Sequence, residues 1–141
     1  MKRKGSAVWT GDLRTGKGTI STESGALANL PYGFNTRFGD EKGTNPEELI
    51  GAAHASCFSM ALSIELSKAG IANPRIETTA TVEIAQQDGG FTITSSHLTV
   101  KIAAKGADKA AAQRAAETAE KNCPVSKLLK ANISMETAIE V

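Results

Sequence analysis

Cysteine occurs twice in this chain, at Cys57 and Cys123, and each thiol has an unusual neighbourhood. Cys57 falls in the middle of a long apolar run that opens with Thr44-Asn45-Pro46-Glu47, and Cys123 stands directly before Pro124. A pair placed this way suggests thiol chemistry more than simple packing. With Pro124 as the first residue of a helix, Cys123 takes the cap, where unpaired N–H groups and the helix dipole favour a thiolate. Each cysteine also has a plainer reading. Cys57 shares a helical stripe with Ile50, Ala53, His54, Met60, Ala61 and Ile64, and a free cysteine packs there as a small hydrophobe. Cys123 could equally be a buried capping thiol.

Other candidates surround these two. His54 lies three residues before Cys57, and His97 and Cys123 could complete four zinc ligands. The absence of a Cys-x-x-Cys and the isolation of His97 on a predicted strand argue against a metal. His54 could act as a base toward Cys57, but no acid stands near it in sequence, and a satisfied core histidine is the competing reading. Arg37 lies in the segment Tyr32-Gly33-Phe34-Asn35-Thr36-Arg37-Phe38, which holds three of the chain's six aromatics. If buried there, its guanidinium needs an acid, and Glu47 is the partner within reach. A solvated loop arginine is the alternative.

The elements that must position these residues follow from local pattern. Ala7–Trp9 and Gly18–Ser21 flank a turn-rich segment and read as a hairpin. Residues 23–45 carry four glycines and Pro31 with little periodicity, a long loop that its aromatics would dock. Asn45-Pro46-Glu47-Glu48 is a helix start, with Asn as cap and Pro at the first helical position. That helix should reach about Ala69, with Gly70 just beyond its end. Its middle is apolar or small on most sides, so it needs cover on most sides, which points to a second subunit. A half-buried strand spans Ile76–Ile84, and Asp88-Gly89-Gly90 turns the chain into a return strand whose apolar parity changes near Ser95-Ser96, where a β-bulge is expected. A second helix capped by Asp108 runs to about Asn122, a short one covers Val125 to Ala131, and a final strand alternates from Ile133 to Val141.

Composition narrows the class. The 141 residues suit one domain, 1–141, and the net charge of +1 argues against a nucleic-acid partner. The N-terminus lacks the apolar core of a signal peptide, and no uninterrupted apolar run approaches the roughly 18 residues of a membrane span. A cytoplasmic protein is expected, in which a disulfide would be transient and catalytic.

Thr44-Asn45-Pro46-Glu47, Ala52-Ala53, Cys57-Phe58 and Cys123-Pro124-Val125-Ser126 together resemble the OsmC/Ohr superfamily of organic hydroperoxide peroxidases. Pro31-Tyr32-Gly33-Phe34-Asn35-Thr36-Arg37-Phe38 resembles the branch named for osmotically inducible protein C. The resemblance implies an α+β fold, an intertwined homodimer with curved antiparallel sheets wrapped around long central helices. It implies a thiol peroxidase without haem, metal or flavin, with Cys57 peroxidatic and Cys123 resolving. Arg37 and Glu47 would form the network around the thiolate. Dihydrolipoyl groups on lipoylated proteins would be the reductant. Tyr32, Phe34, Phe38 and Phe58 would suit an organic tail better than hydrogen peroxide. Two rival classes remain at this stage, a small-molecule-binding module with incidental cysteines and a structural stress protein without turnover.

Overall fold

In a computed structural model, residues Met1–Val141 are described throughout and divide into two compact units, 1–49 and 50–141. The first unit is built on three antiparallel strands in sequence order, β1 (Gly5–Thr10), β2 (Lys17–Thr22) and β3 (Leu30–Tyr32). The expected hairpin joins β1 to β2. Its turn is held by Asp12, whose carboxylate accepts the N–H groups of Arg14 and Thr15 at 2.9 and 2.8 Å.

Residues 23–45, expected as a docked loop, contain β3 and a one-turn helix, α1 (Phe34–Phe38). Both are too short to leave a periodic signature. Pro31 lacks an N–H and is tolerated because β3 is an edge strand, paired only with β2. The Thr36 hydroxyl accepts the Gly33 N–H at 2.9 Å and donates to the Gly33 carbonyl at 3.0 Å, which starts α1.

The long helix α2 (Pro46–Lys68) begins in the first unit and continues through the second. Its start is as the sequence predicts: the Asn45 side chain accepts the Glu48 N–H at 2.8 Å. Its end is also as predicted, with Gly70 at φ +76°, a left-handed conformation that favours glycine.

The second unit contains a three-stranded sheet, β4 (Arg75–Gln87), β5 (Gly90–Ala103) and β6 (Asn132–Glu140), with β5 central. Two more helices belong to it, α3 (Lys109–Asn122) and α4 (Pro124–Leu128). The bulge falls where the parity changes: Glu83 pairs with Ser95 and Ile84 with Ile93, so Thr94 is the extra residue. Downstream of it, Ser96, Leu98, Val100 and Ile102 are all buried. On α2 the buried residues are Glu47, Gly51, His54, Phe58, Leu62 and Leu66, one stripe at three- and four-residue spacing. At Gly51 a Cβ would lie 3.0 Å from the Ala80 carbonyl oxygen, so glycine allows helix and sheet to approach closely. Alanines 112, 115, 116 and 119 of α3 complete this core.

Two expectations change. β4 and β5 are antiparallel, but β6 runs parallel to β5, so this sheet is mixed. Alternation in a sequence marks a half-buried strand and carries no direction; the helical connection through α3 and α4 is what a parallel neighbour requires. The short helix stops at Leu128 rather than Ala131, since Leu129 turns extended (φ −71°, ψ 119°) to lead into β6.

One face of α2 is bare. Met60 and Ile64 are 72% and 57% exposed, and Ala53 and Ser56 are exposed on the same side. By length and composition α2 could cross a membrane, with 23 residues and a mean hydropathy of 1.4 over its most apolar 18, although no uninterrupted apolar run marks it.

Candidate active site

Cys123 terminates one helix and starts the next. Its N–H donates to the Ala119 carbonyl at 2.9 Å, closing α3, while its own carbonyl accepts the Lys127 N–H at 3.1 Å, opening α4. Pro124 explains the break, because a residue before proline is pushed out of the helical region; Cys123 sits at φ −55°, ψ 126°. This junction carries the buried Cys123 thiol to α2.

There it meets Cys57. The two thiols are free and close enough to act on each other, and the Val125 amide acts on the Cys57 sulfur as well. Cys123 is fully buried and Cys57 half-buried. Burial pushes the Cys57 thiol above its ordinary 9.0 and the Cys123 side chain adds to the rise, while the Val125 amide pulls it down. Neither residue that acts on Cys57 is a cation.

His54 is fully buried between two serines. Its Nδ1 pairs with the Ser96 hydroxyl at 2.7 Å and its Nε2 with the Ser126 hydroxyl at 2.8 Å. Burial holds its pKa below the usual 6.5, so the ring is neutral at pH 7, donating through one nitrogen and accepting at the other. With both nitrogens engaged, His54 is not a base for Cys57. His97 occupies the opposite face of β5 from Ser96, where its Nε2 pairs with Glu136 at 3.0 Å, so the four-ligand zinc set is not assembled. Sequence reasoning missed Ser96, Ser126 and the Val125 amide. Ser126 did carry a signal, lying three residues after Cys123 on the helix that Pro124 starts.

The first unit supplies the ion pair that the sequence suggested. Arg37 Nε donates to both Glu47 oxygens at 3.2 and 3.3 Å, and Nη2 donates to Oε1 at 2.8 Å. The Phe38 ring lies 5.3 Å from the guanidinium carbon, and the Glu47 side chain is 9% exposed. The Asn45 amide ties this helix start to the Thr36 carbonyl at 3.2 Å, which fixes α1 and its arginine.

The family model for OsmC-like proteins matches residues 39–138. The chain belongs to the OsmC-like family. It is 54% identical to the peroxiredoxin OsmC of Escherichia coli K12 over 136 residues, which cover 96% of this chain and 95% of that protein. Among solved structures, an organic hydroperoxide resistance protein from Elizabethkingia anophelis superposes with a TM-score of 0.72 at 26% identity, covering 99% of this chain and 97% of that one. The organic hydroperoxide resistance protein OhrB of Bacillus subtilis gives a TM-score of 0.68 at 25% identity, with 97% and 98% covered.

The aromatics of this OsmC-like chain do not form one cluster. Tyr32 packs on Trp9 with ring centroids 5.4 Å apart, and Phe34 packs on Phe38 at 5.2 Å. Tyr32 and Phe34 line a cleft of about 430 Å³ together with Arg14, Lys17 and Lys42. Phe58 is fully buried in the core of the second unit.

Proposed function

We propose that the chain is a thiol peroxidase that reduces organic hydroperoxides to alcohols through Cys57 and Cys123. The observation that carries this reading is that the chain's two cysteines, 66 positions apart in sequence, are brought together as free thiols, Cys57 half-buried and Cys123 fully buried. The names of the relatives, a peroxiredoxin and organic hydroperoxide resistance proteins, support the same class of reaction.

The chemistry runs in three steps. The Cys57 thiolate attacks the distal oxygen of the hydroperoxide, the O–O bond breaks, and the alkoxide takes a proton and leaves as the alcohol. Cys57 is left as a sulfenic acid. The Cys123 sulfur then attacks the Cys57 sulfur, a disulfide forms, and the hydroxide leaves as water. An external dithiol reopens the bond by exchange, and a dihydrolipoyl group on a lipoylated protein is the candidate reductant.

The first step needs thiolate. A thiol with a pKa of 9 is only about 1% ionised at pH 7, and Cys57 starts above that value. A cation must therefore lower it, and Arg37, oriented by Glu47, is the residue assigned that role. Glu47 and Cys57 are ten positions apart on α2, about 15 Å along a helix at 1.5 Å per residue, too far for the same pair to serve the cysteine of its own helix. A homodimer resolves this. Ala53, Cys57, Met60 and Ile64 share one stripe of α2, and three of them are exposed, so a second copy that covers Met60 and Ile64 also covers Cys57. Its Arg37 and Glu47 would then face Cys57 and Cys123. The organic tail of the substrate is assigned to Tyr32, Phe34 and Phe38, with buried Phe58 as packing beneath the reactive cysteine. The cytoplasm, where dithiols stay reduced, is the compartment that fits.

Consumption of cumene hydroperoxide with dithiothreitol as reductant tests the proposal. Multiple turnovers that vanish in Cys57→Ser are expected. No turnover by folded wild-type protein would leave a binding or structural role.

A further inference from the structure

The two helices that carry the cysteines are joined by two parallel rungs. His54 lies three residues before Cys57 on α2, and Ser126 lies three residues after Cys123 on α4. One rung is the sulfur pair, Cys57 to Cys123; the other is His54 Nε2 to Ser126 Oγ at 2.8 Å. In a helix a three-residue step returns to the same face, so both rungs lie on the contact side of α2 and α4.

The second rung is anchored. Ser96, next to the β5 bulge, holds the other ring nitrogen of His54 at 2.7 Å. The imidazole therefore cannot rotate without breaking a buried hydrogen bond, and His54, Ser96 and Ser126 are 0%, 1% and 8% exposed. By contrast α4 is only five residues long, and its Leu128 is 78% exposed. So short a helix has little intrinsic stability and takes its place from what it is tied to.

We infer that His54 and Ser126 are positioning residues for disulfide formation: their hydrogen bond sets α4 on α2 so that the Cys123 sulfur lies in line with a sulfenic acid on Cys57. The inference rests on the thiol-peroxidase reading and deepens it. The step served is the second one, in which Cys123 sulfur bonds to Cys57 sulfur and the sulfenic oxygen departs as water. Neither His54 nor Ser126 touches the reacting atoms. Misplacing a reactant by about 1 Å can cost on the order of a hundredfold in rate, so losing this rung has a kinetic reach beyond its share of stability.

The test mixes reduced protein with one equivalent of cumene hydroperoxide and quenches at intervals. Intact mass after dimedone trapping reports the sulfenic acid and the disulfide separately. In Ser126→Ala the sulfenic acid should persist at least tenfold longer than in wild type, a slowing at least tenfold greater than any change in the first step, and Ser126→Thr, which restores a hydroxyl, should recover most of the rate. Disulfide formation at the wild-type rate in folded Ser126→Ala would overturn the assignment. If that variant does not fold, His54→Leu and His54→Gln carry the test. A sulfenic acid at least tenfold longer-lived in His54→Leu, with His54→Gln, whose amide can reach Ser126, faster than His54→Leu, supports the rung. Disulfide formation at the wild-type rate in folded His54→Leu overturns it. Failure of wild type itself to form any peroxide-dependent disulfide would instead overturn the peroxidase reading.

Discussion

Arg37 grips Glu47 through three hydrogen bonds of 2.8 to 3.3 Å, and only the arginine side of the pair reaches solvent. The Glu47 side chain is 9% exposed against 33% for Arg37, so removing the arginine strands a nearly buried carboxylate. Breaking a buried pair costs about 3–5 kcal/mol and an exposed one less than 1. Screening at the half-open arginine puts Arg37→Ala between these limits, at about 2 kcal/mol. Urea unfolding checks this. Arg37→Ala should lower the midpoint and Glu47→Gln, which removes the charge that needs a partner, should lower it less; equal midpoints for wild type and Arg37→Ala would show that the pair contributes nothing.

The cysteine variants separate the chemical steps. Cys57→Ser is nearly isosteric and should keep the fold while abolishing peroxide consumption. Cys123→Ser should perform one attack per site and then stall as a sulfenic acid, visible as a mass increase of one oxygen. Sustained turnover by Cys57→Ser would remove the enzyme reading. Sustained turnover by Cys123→Ser would mean that the external dithiol can resolve the sulfenic acid directly.

Thiolate formation should depend on Arg37. Burial and the Cys123 side chain raise the Cys57 pKa above 9.0 within one chain, so without a cation the thiolate fraction climbs only as pH passes that value. A cation stabilises the charged form and moves the rise to lower pH. Iodoacetamide labelling of Cys57, followed by mass from pH 5 to 10, should show its midpoint at clearly lower pH in wild type than in Arg37→Ala, where the thiol stays above its ordinary 9.0. Coincident profiles would take Arg37 out of thiolate stabilisation.

Substrate preference should follow tail burial. An aryl or alkyl tail that loses about 100 Å² of apolar surface gains about 2.5 kcal/mol at 25 cal/mol per Å², roughly seventyfold in kcat/KM. Cumene hydroperoxide should therefore outperform hydrogen peroxide by about that factor, and a Phe34→Ala and Phe38→Ala pair should shrink the gap. Equal efficiency with both peroxides would mean that these aromatics hold no substrate.

Much of this was legible along the chain, and the rest was not for identifiable reasons. The start of α2 was legible because Asn45, Pro46 and the acids act on their own neighbours, and the bulge at Thr94 because a parity change is a local signal. The Arg37–Glu47 pair could be inferred because a guanidinium in an aromatic segment needs a nearby acid. The parallel course of β6 left no trace, since direction belongs to the connection. β3 and α1 hid in residues 30–38 because three to five residues show no period. The serines around His54 were the costliest omission. They lie 42 and 72 positions away, and only the folded sheet and the α4 turn bring them to the ring.

The last prediction concerns which chains build the site. If Arg37 and Glu47 of one subunit serve Cys57 and Cys123 of the other, Arg37→Ala and Cys57→Ser homodimers are each inactive for different reasons. A heterodimer of the two restores one site, because the Cys57→Ser chain still offers Arg37 and the Arg37→Ala chain still offers both cysteines. The second site of that heterodimer lacks both groups. Equal mixing with random re-association makes half the dimers mixed, each with one of two sites intact, so about a quarter of wild-type activity should return. Native mass spectrometry establishes that mixed dimers form. If they form and activity stays at the level of the parents, all four residues act within a single chain, and the exposed stripe of Met60 and Ile64 then has some other cover.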